Sequence, residues 1–195
     1  MRDLREWIGV LREMGELVEV TAEVDPHLEI TEVADRVMKA GGPALLFTNV
    51  KGSRLPVLIN QFGSEQRMAR GLGGESLDQI AGRIAQIAQM QPPQGVMDKV
   101  KALGTLKDLA SLGTKTVKKA PVHEVVLTGD DVDLDLLPIL HCWPLDGGPF
   151  VTLPLVFSND PRTGSRNCGM YRVQKVNRNT CMMHWQIHKD GRQHL

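Results

Sequence analysis

The sequence has no surplus of charge of either sign and no long apolar run. Its 195 residues include 23 Lys and Arg against 23 Asp and Glu, so the formal net charge is zero. A nucleic-acid-binding domain usually carries a basic excess, and the balance here argues against that class of protein. No apolar stretch approaches the roughly 20 residues that span a bilayer, and the N-terminus lacks the uninterrupted apolar segment of a secretory signal. We therefore expect neither a nucleic-acid partner nor a membrane span.

Cysteine is scarce and scattered. The three cysteines, Cys142, Cys168 and Cys181, form no Cys-x-x-Cys pair, which argues against a disulfide framework or a structural zinc site. Reduced thiols in a cytoplasmic protein are the simplest interpretation. The sequence also contains no internal repeat and no low-complexity segment. An apolar share of 42% is enough for a buried core, and the length fits one or two domains of roughly 100–200 residues each.

Helix and strand patterns alternate in the first half of the chain. Asp3 and Glu6 have the spacing of a capping box, and the apolar stripe that follows predicts a helix that Gly15 ends. Further patterns predict strand 17–24, helix 30–39, strands 44–50 and 55–62, a helix from Ser76 to Pro92-Pro93 and a short helix over 97–111. The predicted core face of the helix after Ser76 is Leu77, Ile80, Ala81, Ile84, Ile87 and Ala88. This order predicts a small α/β domain over residues 1–115.

The character of the sequence changes near residues 113–121, which are polar and end at Pro121. We place a domain boundary here, with a second domain over residues 116–195. Helical periodicity disappears beyond the boundary. Short β-like runs alternate with turn residues at 122–127, 150–157, 169–176 and 180–188. Several short strands with turn signals favour a β-barrel or a sandwich, so the predicted fold class of the whole chain is α+β.

One predicted hairpin gathers the chemically informative side chains. Asn177-Arg178-Asn179 is a turn cluster, so the flanking strands should pair antiparallel, with Arg172 opposite His184, Met170 opposite Gln186 and Cys168 opposite His188. Side chains alternate across a strand, which gives one face made of Cys181, Met183, Trp185 and Ile187 and suited to a core. The second face carries Met182, His184, Gln186 and His188. From the partner strand, Arg172 joins this second face.

The second face of the hairpin combines a guanidinium, two imidazoles and an amide. Arginine fits phosphate or carboxylate bidentately, imidazole is a common metal ligand, and an amide oxygen suits a hard cation. Asn167 lies one residue off the pairing with His188, so strict alternation turns its side chain away unless a bulge at Gly169 re-aims it. Spacing alone leaves open a simpler interpretation, in which the histidines are solvated and Met170 and Trp185 only pack.

Four ordered motifs in this region resemble the UbiD family of decarboxylases. They are Leu137-Pro-Ile-Leu-His-Cys-Trp-Pro-Leu-Asp-Gly-Gly-Pro-Phe150 with Thr152-Leu-Pro154, Asn159-Asp-Pro-Arg-Thr-Gly164, Asn167-x-Gly-Met-Tyr-Arg172, and Met183-His-Trp-Gln-Ile-His-Lys-Asp-Gly191. The N-terminal α/β region and the linker Lys119-Ala-Pro121 are also similar to that family, so the resemblance covers essentially the whole chain. It implies that residues 116–195 are the first part of a flavin-reductase-like split β-barrel domain that binds the cofactor.

The resemblance implies prenylated FMN as the cofactor and a Mn²⁺-type divalent ion, with K⁺ as a further cation. Asn167 and His188 match two of the three protein ligands of the divalent ion, which bridges to the cofactor phosphate. Arg172 matches the arginine of a catalytic Glu-Arg-Glu network between the cofactor and the substrate carboxylate. The Asp146-Gly147-Gly148-Pro149 turn could shape the wall of this site. The residues that match cofactor-lining segments are Asn167, Met170, Tyr171, Arg172, His184, Trp185, Gln186, His188, Lys189 and Asp190.

The function that the resemblance implies is a reversible decarboxylation of an aromatic or α,β-unsaturated acid. The cofactor would act as the electron sink for loss of CO₂, and Arg172 would hold the substrate carboxylate. A flavin prenyltransferase would supply the cofactor, and the full-length enzyme would be a homo-oligomer. In family members the third metal ligand, both catalytic glutamates and a C-terminal domain lie beyond the position of Leu195. We therefore expect the chain to be the N-terminal portion of a longer enzyme and to be inactive by itself.

Two alternatives from other functional classes stay open. The chain could be a non-catalytic module that binds a flavin or a phosphate. It could also be an assembly domain whose hairpin is an exposed edge that another segment covers. A flavin-like absorbance retained by the purified chain would favour binding, whereas association without a chromophore would favour assembly. The sequence does not identify the substrate.

Overall fold

The computed structural model describes residues 3–89 and 116–195. The elements of the first range are helix α1 (Leu4–Glu13), strand β1 (Leu17–Val20), α2 (Glu29–Lys39), β2 (Ala44–Phe47), β3 (Val57–Ile59), α3 (Glu65–Gly71) and α4 (Leu77–Ala88). The predicted helix over 97–111 and its Pro92-Pro93 boundary lie outside the described residues. None of the helices in these two ranges has the length and hydropathy of a membrane span.

A three-stranded sheet and the helices α1 and α2 form the N-terminal core. β1 runs parallel to β2, and β3 runs antiparallel to it on the other side. The apolar face of α1 buries Trp7 and Leu11 against Ala44, whereas α2 buries Ile30 against Leu45 and Phe47. Because successive strand residues point to opposite sides, the two helices cover opposite faces of the sheet. This explains why all four residues of β2 are buried.

Side-chain caps begin three of the helices. The N–H of Glu6 donates to Asp3 Oδ1 at 2.9 Å, which confirms the predicted start of α1. The N–H of Gln79 donates to Ser76 Oγ at 3.1 Å and confirms the helix after Ser76. Ser64 caps α3 in the same way, but we did not predict this helix. Its seven residues are too few for an apolar period of 3.6 to be recognised.

The predicted core face of α4 is not buried. The helix has an apolar side as its periodicity indicates, but none of its residues is buried, and Ile84 keeps 62% of its surface exposed. The prediction of the helix is confirmed, and the prediction that its apolar face packs into the core of this chain is wrong. Periodicity identifies an apolar stripe but does not identify what covers it.

Short strands in two small sheets make up most of the second described range. The elements are β4 (Phe150–Val151), β5 (Leu155–Asn159), β6 (Arg166–Met170), β7 (Val173–Lys175), β8 (Cys181–Met183) and the short helix α5 (Asp190–Gln193). One sheet has the order β4-β7-β8, and β5 pairs with β6. The mixture of helices and small sheets confirms the α+β class. The part of the chain that the structure describes contains no closed barrel.

The predicted strand at 122–127 is wrong. Residues Pro121–His123 form a single 3₁₀ turn, and no strand follows before β4. Pro121 has no N–H to give to a sheet ladder, and its fixed φ suits the first position of a helical turn.

Residues that follow the linker pack on the N-terminal core. The N–H of Leu28 donates to the His141 carbonyl oxygen at 2.9 Å, and the N–H of His141 donates to that of Pro26 at 3.1 Å. Leu140 is buried within the cluster that contains Ile30 and Phe47. The segment just before β4 is therefore part of the N-terminal core. The predicted division into domains 1–115 and 116–195 stays a prediction.

The register of the predicted hairpin is confirmed near its turn. Val173 pairs with Met183 and Lys175 with Cys181, and the N–H of His184 donates to the Arg172 carbonyl oxygen at 3.0 Å. Beyond this point the ladder ends. The pairings of Met170 with Gln186 and of Cys168 with His188 are wrong, because β6 pairs with β5 instead, while residues 186–189 form a turn.

Tyr171 occupies the point where the chain leaves one strand partner and joins another. Its side chain is 3% exposed, its hydroxyl accepts the N–H of Gly191 at 2.9 Å, and its ring meets the edge of Trp185 at 5.4 Å. A Cβ on Gly169 would lie 2.5 Å from the Tyr171 ring, and one on Gly191 would lie 2.6 Å from its hydroxyl. The two glycines therefore admit the ring. The bulge that Gly169 could allow does not occur, because β5 and β6 keep one regular register.

A single charged side chain lies fully inside the N-terminal core as the structure describes it. Arg67 is 1% exposed. Its Nη1 donates to Glu16 Oε2 at 2.6 Å, and its Nη2 donates to the Gly42 carbonyl oxygen at 3.0 Å. Glu16 keeps 31% of its side chain exposed. The carboxylate is therefore partly hydrated, whereas the guanidinium depends on the protein for its partners.

This asymmetry predicts unequal costs for removing either partner. Glu16→Ala leaves a buried cation without its counter-ion, and we expect a loss of about 3 kcal/mol in the free energy of unfolding. Arg67→Met leaves a carboxylate that water can reach and an apolar side chain of similar length in the core, so we expect a loss of less than about 1.5 kcal/mol. Urea denaturation of both variants measures the difference. Equal losses, or the reverse order, would contradict this account of the pair.

The packing of Tyr171 predicts that Gly169→Ala destabilises the chain. The added methyl group would overlap the buried ring, and overpacking of this kind costs about 1–3 kcal/mol. Gly9→Ala is the matched control, because a Cβ at Gly9 in α1 has no atom within 4 Å, and alanine there should stabilise the helix by about 0.5–1 kcal/mol. Urea midpoints that move in the same direction for both variants would refute the proposed contact.

Candidate functional site

Arg172 presents a fixed and partly exposed guanidinium. Its Nη2 donates to Asp146 Oδ2 at 2.9 Å and its Nη1 donates to Asp146 Oδ1 at 3.3 Å. Its Cζ lies 3.9 Å from the centroid of the Phe150 ring. The guanidinium therefore has one edge on a carboxylate and one face on an aromatic ring, yet the side chain remains 37% exposed. The N–H groups that Asp146 does not use can bind an external anion.

The turn that carries Asp146 is fastened to β7. Its backbone closes through the N–H of Asp146, which donates to the Trp143 carbonyl oxygen at 3.0 Å. The Nε2 group of Gln174 donates to the Gly147 carbonyl oxygen at 2.6 Å. Gly148 has φ of 147°, a value that favours glycine. Because Arg172 and Gln174 are two residues apart along one strand direction, both reach the same turn.

The sequence prediction that the Asp146–Pro149 turn shapes the site wall stays a prediction. We did not identify Asp146 and Phe150 as partners of Arg172. A carboxylate in a turn 26 residues before an arginine has no spacing signal. The Asp-Gly-Gly-Pro turn signature was the only local hint.

Asn167 lies on β6 and points inward. It is half-buried while its neighbours Arg166 and Cys168 are exposed, and it pairs with Ser158 of β5. Ser158 Oγ lies 2.9 Å from Nδ1 of His194. The Nδ2 position of Asn167 is buried without any hydrogen-bond partner. Because the oxygen and nitrogen of a side-chain amide are assigned from their partners, the unpartnered position can equally present a carbonyl oxygen to a cation.

A tight turn joins β5 to β6 and so sets the position of Asn167. The N–H groups of Arg162 and Thr163 donate to Asp160 Oδ1 at 2.7 and 3.3 Å. The Arg162 hydrogen bond is the main reason that the pKa of the Asp160 carboxyl lies below its usual range. The charged form of Asp160 therefore stabilises the turn.

The remaining predicted cofactor residues fall into two groups. In the first group the Tyr171 ring contacts both Trp185 and Lys189, and Lys189 Nζ lies 4.9 Å from the ring centroid and donates to the Met170 carbonyl oxygen at 2.9 Å. The side chain of Met170 is 49% exposed. The second group is exposed and consists of His184, Gln186, His188 and Asp190.

The predicted metal ligands are not joined directly. No hydrogen bond links Asn167 to His188 in the described ranges, and no group of three or more His, Cys, Asp or Glu side chains there could hold a metal ion. The two predicted ligands together would offer one amide oxygen and one exposed imidazole. A hard divalent ion prefers more oxygen ligands than this, so the described residues can supply only part of such a site.

Comparisons with known proteins agree with the site's sequence motifs. Residues 8–85 match the model of the 3-octaprenyl-4-hydroxybenzoate carboxy-lyase N-terminal domain, and residues 115–195 match that of the Rift-related domain of the same enzyme family. An uncharacterized protein of Archaeoglobus fulgidus is 49% identical over 193 residues, which are 99% of this chain and 39% of that protein. The chain therefore spans about two fifths of this relative.

Solved structures of UbiD-class enzymes have the same fold over this length. The closed form of the vanillic acid decarboxylase of Sedimentibacter hydroxybenzoicus aligns with a TM-score of 0.76 and 26% identity, covering 98% of this chain and 39% of that chain. The HmfF enzyme of Pelotomaculum thermopropionicum in complex with FMN aligns with a TM-score of 0.71 and 26% identity, covering 95% and 37%. Its evolved dimeric form in complex with prFMN aligns at 0.75 and 24% identity, covering 100% and 40%, and shows the fold alone.

Both matched family models describe parts of one enzyme family, they occupy this chain in the expected order, and the motifs around Arg172 fall within the second of them. The chain belongs to the UbiD family of carboxy-lyases.

Proposed function

We propose that residues 1–195 form the N-terminal part of a decarboxylase that acts on an aromatic or α,β-unsaturated carboxylic acid through prenylated FMN and a divalent metal. The observation that carries the proposal is the Arg172 guanidinium, which is fixed by Asp146 and Phe150 and still 37% exposed. The solved relatives include a vanillic acid decarboxylase and an enzyme in complex with FMN, which supports this reaction class and a flavin.

Arg172 would bind the substrate carboxylate. A guanidinium has five N–H donors in a planar fork, and Asp146 accepts from only two nitrogens of it. A carboxylate on the remaining donors keeps its negative charge stabilised until the C–C bond breaks. When bound, prenylated FMN supplies the electron sink for the pair of electrons that this bond leaves behind.

Asn167 and His188 would supply two ligands to the divalent ion. The buried and unpartnered amide position of Asn167 fits this role, because a cation there would satisfy a polar atom that otherwise has no partner. The imidazole of His188 is exposed, so a cation can reach it. A third ligand, which a hard ion requires, would come from sequence that the relatives have beyond the matched region. K⁺ is proposed as a further cation on family resemblance alone.

The exposed residues Met170, His184, Gln186 and Asp190 would contact the flavin, beside the packed residues Tyr171, Trp185 and Lys189. A flavin prenyltransferase would supply the cofactor. We also propose that the whole enzyme is a cytoplasmic homo-oligomer. One of the solved relatives is an evolved dimer.

A chimaera tests this function and the role of Arg172. Residues 1–195 would replace the matching segment of the Archaeoglobus fulgidus relative, with co-expression of a flavin prenyltransferase and added Mn²⁺. We expect CO₂ release from at least one member of a panel of cinnamic, benzoic and furoic acids, and none from residues 1–195 alone. Arg172→Ala should lower kcat/KM by about 10²-fold, because it removes the charge that stabilises the reacting carboxylate.

Arg166→Ala is the matched control for Arg172→Ala. Arg166 also lies over an aromatic ring, with its Cζ 4.7 Å from the centroid of Phe157, but its side chain is on the opposite face of β6 from Asn167. We expect it to keep kcat/KM within about twofold of the chimaera. The proposal fails if the unmodified relative releases CO₂ and the chimaera does not, or if Arg172→Ala is as active as Arg166→Ala.

The metal proposal predicts weaker Mn²⁺ binding in two variants. In the flavin-loaded chimaera, Asn167→Leu and His188→Ala should each raise the Kd for Mn²⁺ by at least about tenfold, because each removes one ligand. The signal of free Mn²⁺ in electron paramagnetic resonance measures this Kd without any turnover. His123→Ala, which changes an exposed histidine of the 3₁₀ turn, is the control. Unchanged affinity in Asn167→Leu would exclude that amide as a ligand.

A further inference from the structure

Asp146 occupies two nitrogens of the Arg172 guanidinium and leaves its other N–H groups for an external ligand. Its side chain is only 15% exposed, compared with 37% for Arg172, so the carboxylate is the better covered member of the pair. Both of its oxygens accept from Arg172. A bidentate pair fixes the plane of the guanidinium as well as its position, which a single hydrogen bond does not do.

The turn around Asp146 has its own attachment to β7. Gln174 binds the Gly147 carbonyl oxygen at 2.6 Å, and Phe150 at the end of the turn pairs with Gln174 across the sheet. The Asp146 carboxylate and the Phe150 ring are therefore held by the sheet itself. Arg172 contacts two groups whose positions do not depend on its own side chain.

We propose that Asp146 is a positioning residue that fixes the Arg172 guanidinium against Phe150 and leaves its remaining N–H groups directed at the substrate carboxylate. This inference rests on the proposed function, in which Arg172 binds that carboxylate. An arginine side chain has several rotatable bonds, and fixing it in advance removes the need to order it at the moment of reaction. Asp146 acts through Arg172 and does not itself touch the substrate.

The charge of Asp146 gives the pair a second property. The Asp146 carboxylate neutralises the charge of Arg172 in the absence of substrate. An anion is therefore bound mainly through the directed N–H groups of Arg172 and less through a net positive charge. Removal of that charge should leave a stronger but less directional anion site. A positioning role therefore predicts a fall in kcat without a rise in KM, whereas a purely structural role of the turn predicts lost stability and no such separation.

The first experiment uses residues 1–195 without cofactor. The ¹⁵Nε–H signal of Arg172, assigned through its loss in Arg172→Lys, reports the mobility of the guanidinium in a heteronuclear NOE measurement. We expect a restrained signal in the unmodified chain and a mobile one in Asp146→Asn. Asp135→Asn is the control, because Asp135 pairs with Lys175 of the same strand β7 but does not contact Arg172. A signal that is equally restrained in Asp146→Asn overturns the inference.

The second experiment uses the active chimaera. Asp146→Asn should lower kcat by about tenfold with KM unchanged or lower, since small misplacements of a reacting group cost factors of this size or more. In an Arg172→Lys background, which has no planar fork for Asp146 to hold, the same change should lower kcat less than about twofold. Equal losses in both backgrounds would show that Asp146 acts through another group, and the inference would be wrong.

The two experiments separate failure of the inference from failure of the proposed function. A flavin-loaded chimaera that releases no CO₂, beside an active parent relative, removes the proposed function whatever the mobility of Arg172. A mobile Arg172 in the unmodified chain removes the positioning role even when the chimaera is active. Urea denaturation of Asp146→Asn and Asp135→Asn shows that each variant is folded under the conditions of both measurements.

Discussion

The burial of Tyr171 is the constraint on which the arrangement of the second half of the chain depends. Its ring needs the space that side chains at Gly169 and Gly191 would fill, and its hydroxyl binds the backbone at Gly191. Strand pairing therefore changes at this residue, because the chain pairs with β5 up to Met170 and with β8 from Val173. The segment after β8 folds back to the Tyr171 ring. A continuous ladder would have kept that segment extended along β6.

This constraint also explains which parts of the fold can be predicted from sequence. The turn at 177–179 sets the register of β7 and β8 through short-range geometry, and the cap at Asp3 sets the start of α1 in the same way. The end of β8 at Met183 has no local signal. It depends on the contact between Tyr171 and Gly191, which lie 20 residues apart, and strand alternation cannot anticipate where a ladder ends.

In the candidate site, too, the sequence predicts features that depend on neighbouring residues and misses a contact between residues far apart in the chain. Family motifs identify Arg172, and the turn signature identifies the segment of Asp146, but no periodicity links a turn carboxylate to a strand arginine. The pair forms because β7 contacts β4 and the turn before β4. Sequence analysis can thus identify the donor of a site, whereas the group that orients the donor follows only from the way strands pair.

The unpartnered amide of Asn167 is a departure from ordinary packing at the candidate site. A buried polar group without a hydrogen bond costs about 1–3 kcal/mol, and folded proteins rarely retain one without a reason. Regular pairing with Ser158 holds Asn167 inward, so the strand cannot turn the amide to solvent without breaking its register. A cation bound at that position would give the amide a partner, so the free energy that the unpartnered amide costs would instead favour cation binding. The regular β5–β6 ladder, which has no bulge at Gly169, thus provides the strongest structural argument for the proposal that Asn167 is a ligand.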